Sequence, residues 1–353
     1  MIEFVVRVPD PESQGPVFLT GDGPELGQWH SRGAMMHAIG HGLYHALIPI
    51  SEARPIRFLF TRGHWRQTER NANGNEMPAR ELRAEPGSRI ELAVAGWGRE
   101  SIRYHPNFSS RFLPHHRGLN VYVPPGYDRD PYRRYPVIYM HDGQNLFDAH
   151  AAFAGNPWRC DEVAEQAIRR WECEPVLIVG IANSPDRLRE YAPRDGDDFA
   201  NRYGRLLVEE VKPFIDANYR THPGADSTAV GGASMGGLIS LYLCKWYPNV
   251  FGRCIAMSPS IWWERERFIE TLRDFPEWLE RCKIWLDIGG REGGSYEGMT
   301  ATLDRTRRLG ALLRSAMPQR SDVFHYVEDA EGRHNETDWG RRFADVLRFM
   351  FPG

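Results

Sequence analysis

The chain of 353 residues carries 41% hydrophobic and 26% charged residues, with 17 Phe, 14 Tyr and 11 Trp. That is more than one compact core usually absorbs, and it excludes a disordered, collagen-like or coiled-coil chain. A net charge of -3 offers no general attraction to nucleic acid or an anionic membrane, and no apolar run approaches the roughly 18 residues that span a bilayer.

In chain order, residues 1 to 97 read as short strands at Glu3–Val8, Pro16–Thr20, Leu43–Ile50, Pro55–Thr61 and Arg89–Val94. Turn signals at Gly21–Pro24 and Asn71–Gly74 separate them. No long helical period intervenes, so residues 1–100 are expected to form a small all-β sandwich. The stretch Ser101–Pro114 reads as a linker, which is placed over residues 101–117. From residue 118 the apolar runs Leu119–Val123, Pro136–Met140, Pro175–Ile181, Cys254–Met257, Lys283–Ile288 and Val323–Val327 alternate with helical stretches. The clearest helix runs from Phe199 to Asn218, where Phe199, Tyr203, Leu206, Leu207, Phe214 and Ile215 repeat with helical spacing. Apolar strands alternating with helices imply an α/β domain over residues 118–353, a doubly wound and mostly parallel sheet covered on both faces.

Only Lys212, Lys245 and Lys283 are lysines, and the abundant arginines are read as solvated faces rather than phosphate sites. The five cysteines, Cys160, Cys173, Cys244, Cys254 and Cys282, are odd in number and lack metal-site spacing. Reduced, mostly buried thiols are expected, which points to a cytoplasmic setting. Residues Met1–Asp10 show no basic patch followed by an apolar block, so no secretory signal is expected.

The chemistry is concentrated around Gly232-Ala233-Ser234-Met235-Gly236, a G-x-S-x-G pentapeptide. The string alone is a weak signal, but it follows the short strand Ser227–Val230 and opens the apolar helix Gly237–Trp246. That strand, sharp turn and helix are what a nucleophile elbow needs: the turn lifts the serine Oγ to the sheet edge, and the helix N-terminus supplies free N–H groups. A serine hydroxyl also needs a base and an acid that orients the base. Glu292, on the glycine-rich loop after Lys283–Gly289, is the candidate acid, with Asp287 expected to be structural. His334, after the last strand and before a C-terminal helix, is the candidate base. Met235 N–H and the backbone N–H of Gln144, in the loop after Pro136–Met140, are the candidate oxyanion donors. Asp142, and the pair His41 and His45, lack clustered partner ligands, so no metal and no cofactor are expected.

The chain resembles the putative esterase (esterase D) family of α/β-hydrolases from about Gly118 to Phe351. The resemblance rests on Tyr139–Asp148, Val179–Asn183, Arg187–Tyr191, Val208–Asp216, Gly232–Gly237, Ser258–Trp263 and His334–Glu336. The family includes enterobactin-type siderophore esterases, feruloyl and acetyl-xylan esterases, S-formylglutathione hydrolase and bacterial mycolyltransferases. The resemblance implies a Ser234–Glu292–His334 triad, although many relatives carry Asp at the acid position. The first hundred residues resemble starch- and glycogen-binding modules through Val17–Asp22, Pro24–Trp29, Ile56–Trp65 and Glu69, but Arg70 stands where starch-binding relatives commonly present a tryptophan.

The expected activity is hydrolysis of a small-molecule or sugar-linked carboxylic ester through an acyl-enzyme. Acyl transfer from the same intermediate, or carbohydrate binding with the hydrolase domain as a scaffold, are the alternatives. Trp262, Trp263, Arg187 and Arg189 are the expected substrate contacts, one tryptophan packing in the core and the other facing the pocket. The alternative for the arginines is pairing with loop carboxylates such as Glu190. No nucleic-acid or membrane partner is expected, and a homo-oligomer is left open.

Overall fold

The computed structural model describes residues 1–9, 15–63, 65–71, 77–98, 101–147, 151–272, 276–318 and 320–353. The chain divides into two compact units, Met1–Glu100 and Ser101–Gly353.

The first unit is all-β. Seven strands, Ile2–Arg7, Val17–Gly21, Ala34–Gly40, Leu43–Ile48, Arg54–Thr61, Arg80–Ala84 and Arg89–Ala93, are joined by hydrogen bonds. A short pair, Glu69–Arg70 with Gly96–Trp97, lies beside them. Alternation sends Phe4, Val6, Val17, Leu19, Ile56, Phe58 and Phe60 into one apolar core. Glu69 is fully buried there, accepting from Phe60 N–H at 3.1 Å and from the Arg80 guanidinium at 2.6–3.1 Å. Trp65 is exposed and Trp29 half-buried. The expected turn at Asn71–Gly74 lies, beyond Asn71, outside the described residues.

In the second unit eight strands build one sheet: β1 Ile102–Phe108, β2 Arg117–Tyr122, β3 Val137–His141, β4 Leu177–Ile181, β5 Thr228–Ala233, β6 Arg253–Met257, β7 Lys283–Gly289 and β8 Phe324–Asp329. Their order is β1-β2-β4-β3-β5-β6-β7-β8. The pairs from β4 through β8 are parallel, whereas β2 runs antiparallel to both β1 and β4. Strand β1 corrects the expected linker at 101–117. Its sequence, IRYHPNF, carries Pro106 and little apolar alternation, a composition that a sheet tolerates only at an edge or bulge. Both occur here: β1 is the edge strand, and its register with β2 shifts between His105 and Phe108.

Among the described residues, the helices of this unit include α1 Cys160–Arg169, α2 Arg187–Tyr191, α3 Phe199–Asn218, α4 Met235–Trp246, α5 Tyr296–Ala316 and α6 Glu336–Met350. The expected helix over 199–218 is present, with a π turn over Leu206–Val211 in its middle. Pro213 accounts for that turn, because its ring removes a backbone donor and pushes away the carbonyl four residues earlier. Two large apolar clusters cover the sheet. Leu119, Val137, Val179, Val230, Ala256 and Leu286 pack with α3, α4 and α5, while Ile138, Ile178, Ala229, Ile255 and Trp285 pack with α1 and α6. Alternate side chains of each strand therefore face opposite layers. All five cysteines are buried and unpaired as disulfides.

Candidate active site

Because β3 through β8 are parallel, the loops at their C-terminal ends gather at one sheet edge. Every candidate residue leaves a strand on that side: Gln144 after β3, Arg187 and Arg189 after β4, Ser234 after β5, Trp262 and Trp263 after β6, Glu292 after β7, and His334 after β8.

Ser234 joins β5 directly to α4 with φ 59° and ψ −121°, a backbone state that L-residues rarely adopt. The turn is sharp because the surrounding backbone is close. A Cβ at Gly237 would lie 2.9 Å from Met257 O, and one at Gly231 would lie 2.6 Å from Ile255 Cβ. Gly232 and Gly236 are less confined, with nearest atoms at 3.2 and 3.3 Å. The first-turn N–H of Met235 has no acceptor among the described residues, and neither does that of Gln144. Among the described residues, then, neither candidate oxyanion donor is spent on the protein. Gly143, beside Gln144, packs on the backbone of β4, where a Cβ would stand 2.3 Å from Gly180 C and 2.4 Å from Ile181 N.

Glu292 and His334 meet: His334 Nδ1 lies 2.8 Å from Glu292 Oε2, with the carboxylate 2% exposed and the imidazole 42% exposed. Among the described residues Ser234 Oγ makes its hydrogen bond to Ser260 Oγ, at 3.2 Å, rather than to His334. Apo hydrolases often hold this contact open until substrate enters. The Ser260 N–H also donates to Ser234 O at 3.0 Å.

A buried polar layer fixes the acid. Glu292 Oε1 accepts from Ser258 Oγ at 2.5 Å and from Gly289 N–H at 2.9 Å. Ser258 Oγ in turn accepts from Trp339 Nε1 at 3.0 Å and Arg342 Nη2 at 2.9 Å. Arg342 also pairs with Asp287 Oδ1 at 3.0 Å, and Trp285 Nε1 donates to Asp287 Oδ2 at 2.8 Å. Burial pushes the Asp287 carboxyl up to about 6, with Arg342 pulling the other way. The Trp339 ring stands edge-on to the His334 ring, centroids 4.9 Å apart. Ser258, Ser260, Trp339 and Arg342 have no assigned role in the sequence reading. The two serines could have been found there, since they directly follow a parallel strand. Arg342 and Trp339 carry no local signal inside an amphipathic helix.

Of the remaining candidates, Trp263, Arg187 and Arg189 are engaged by the protein itself. Trp263 is half-buried against the core and donates Nε1–H to Pro193 O at 3.1 Å, whereas Trp262 is 53% exposed. The Arg187 guanidinium forks onto Asp142 at 2.7 and 2.8 Å. Arg189 bonds Asp197 at 2.9 Å and lies over the Phe199 ring. Glu190 pairs with neither; it is fully buried against Arg117 at 2.9 and 3.0 Å. Beneath the elbow, burial pushes the His141 imidazole down to about 3, so it is neutral; Nδ1 meets Tyr203 OH at 2.8 Å. Among the described residues no three His, Cys, Asp or Glu side chains are grouped to hold a metal ion, and no helix is long and apolar enough to cross a membrane.

The fold is that of an α/β-hydrolase with a candidate elbow serine at its carboxyl edge, and comparison with known proteins gives its class, a carboxylic ester hydrolase. The chain belongs to the Esterase family, described as "Putative esterase", which matches residues 110–350. It is 26% identical over 246 residues to the uncharacterized protein YbbA of Bacillus subtilis, covering 67% of this chain and 92% of that one. It is 25% identical over 255 residues to the iron(III) enterobactin esterase of Dickeya dadantii, covering 70% of this chain but 54% of that one. The enterobactin esterase FES from Shigella flexneri, solved in the presence of enterobactin, matches with a TM-score of 0.57 at 16% identity, covering 99% of this chain and 92% of its own.

Proposed function

We propose that the protein is a serine esterase that forms an acyl-enzyme on Ser234. The observation that carries this reading is the pairing of buried Glu292 with His334 on the same sheet edge as a serine held at φ 59°. Glu292 Oε2 accepts the Nδ1 proton of His334 and leaves Nε2 as the base. His334 takes the Ser234 proton as Oγ attacks the ester carbonyl. The free N–H groups of Met235 and Gln144 hold the oxyanion. His334 then protonates the departing alcohol and activates the water that releases the acid. No step calls for a metal or a cofactor.

Relatives named for enterobactin, salmochelin and feruloyl esters make aryl-bearing small-molecule esters the first substrates to test. The exposed Trp262, on the loop after β6, is the proposed stacking surface for such a group. The buried free cysteines fit a reducing, cytoplasmic compartment. Ser234→Ala is expected to lower p-nitrophenyl acetate hydrolysis by about three orders of magnitude or more and to abolish labelling by a fluorophosphonate probe. Full activity in a clean Ser234→Ala preparation would falsify the assignment.

A further inference from the structure

The turn that carries Gln144 begins at Asp142, whose backbone is left-handed at φ 55° and ψ 45°. A non-glycine residue in that region is held there by its surroundings. Asp142 has four restraints. Arg187 Nε donates to Oδ1 at 2.7 Å, Arg187 Nη2 donates to Oδ2 at 2.8 Å, and Asn183 Nδ2 donates to Oδ1 at 2.7 Å. The Asp142 N–H donates to Tyr191 OH at 3.3 Å. Within the turn, Asn145 N–H donates to Asp142 O at 2.9 Å, and Asn183 N–H donates to Gln144 Oε1 at 3.1 Å. Beyond it, Asn145 Nδ2 donates to Glu336 Oε1 on α6 at 3.3 Å.

The Asp142 carboxylate also lies against the elbow: a Cβ at Gly236 would be 3.7 Å from Oδ2. Arg187 spends the two adjacent donors of its fork on this carboxylate, and its guanidinium lies over the Tyr191 ring, 5.1 Å from the centroid. A substrate carboxylate could take the same two donors only by displacing Asp142.

We infer that Arg187 is a positioning residue: its fork on Asp142 locks the left-handed backbone that aims the Gln144 N–H at the developing oxyanion, and it does not read substrate charge. The inference rests on the serine-esterase reading and extends it by assigning what Arg187 acts upon. Loss of one oxyanion donor costs roughly 100- to 1000-fold in kcat. A loosened turn keeps its donor part of the time, so an effect of about 10- to 100-fold is expected.

The test compares wild type, Arg187→Ala, Arg187→Lys, Asp142→Asn and the Arg187→Ala/Asp142→Asn double variant. Two substrates are used, neutral p-nitrophenyl acetate and the anionic mono-p-nitrophenyl ester of succinic acid. The kcat should fall by the same factor on both esters, with KM within about threefold of wild type. Lysine keeps the charge but not the fork, so it should recover little. The double variant should be no slower than the slower single variant, as expected of two groups acting as one unit. A KM that rises at least about tenfold on the succinyl ester alone, with acetate turnover unchanged, would make Arg187 a substrate clamp and overturn the inference. Unchanged kcat on both esters also overturns it, as does full kcat in Arg187→Lys. If Arg187→Ala fails to fold by circular dichroism, the lysine and Asp142→Asn variants decide by the same criteria. A wild-type protein that neither hydrolyses ester nor labels with fluorophosphonate would instead sink the serine-esterase reading itself.

Discussion

Replacing Ser258 with alanine isolates the layer behind the acid. A serine hydroxyl has one proton to give and two lone pairs. Arg342 Nη2 at 2.9 Å and Trp339 Nε1 at 3.0 Å occupy the lone pairs, so the proton is directed to Glu292 Oε1 at 2.5 Å. Alanine removes one bond to a charged acceptor, about 1.5–3 kcal/mol, and leaves the Trp339 N–H buried without an acceptor, about 1–3 kcal/mol. Arg342 keeps Asp287 at 3.0 Å and Glu292 keeps the Gly289 N–H at 2.9 Å, which limits the damage. The φ of 41° at position 258 strains both residue types alike. The expected destabilisation is about 3–5 kcal/mol, or roughly 6–20 °C in the thermal midpoint of the C-terminal unit by calorimetry. With one restraint gone, Glu292 should hold His334 less well, and kcat on p-nitrophenyl acetate should fall roughly tenfold. A variant that melts lower yet turns over at the wild-type kcat would refute the claim that Ser258 orients Glu292, and an unchanged midpoint would refute the bonding account altogether.

Two other substitutions probe the floor of the site. His141 binds a proton at about 3 in the folded protein and near 6.5 when unfolded, so between these values only the unfolded chain takes it up. Stability from this group is therefore complete above pH 6.5 and is lost on acidification at about 1.4 kcal/mol per pH unit. Urea unfolding at pH 6.5 and 4.5 should show wild type losing about 2–3 kcal/mol more than His141→Gln, and equal losses would refute the assignment. The raised Asp287 carboxyl runs the opposite way, weakening the fold as pH rises from about 4 to 6, but it is common to both proteins and cancels. Gly143→Ala sets a methyl against the β4 backbone, so the turn bearing Gln144 must shift; kcat should drop about 10- to 100-fold with a stability loss of about 1–3 kcal/mol. Wild-type kinetics in that variant would exclude the turn from the oxyanion site.

Much of this was readable from the chain because burial and period coincide in the parallel core. The strands found at 137–141, 177–181, 253–257 and 283–289 are short apolar runs bounded by turns, and each lies within a residue or two of its expected position. The strands that escaped notice are those in which apolar alternation fails. Ala34–Gly40 exposes most of its residues, Arg80–Ala84 reads RELRA, and Ile102–Phe108 contains a proline. The site divides in the same way. The candidates Ser234, Glu292 and His334 stand in glycine-containing loops after strands, which is why the sequence alone offers them. Ser258 and Arg342 acquire their roles from partners remote in sequence, and the partners of Arg187 and Arg189 were visible only as generic loop carboxylates. Glu190, the nearest acid in sequence, was the wrong partner because its side chain points inward to Arg117.

Helix α6 follows all eight strands in the chain and brings Trp339 and Arg342 to the Ser258 hydroxyl, the group that points at Glu292. The elbow, by contrast, is made from β5 and α4, neighbours in sequence. During synthesis the elements of the strained turn at Ser234 are therefore complete well before the helix that braces the proposed acid. A nascent chain lacks the Trp339 and Arg342 donors to Ser258 until α6 docks. On the proposed serine-esterase reading, the last helix thus completes the support of an acid that two earlier strands have already placed.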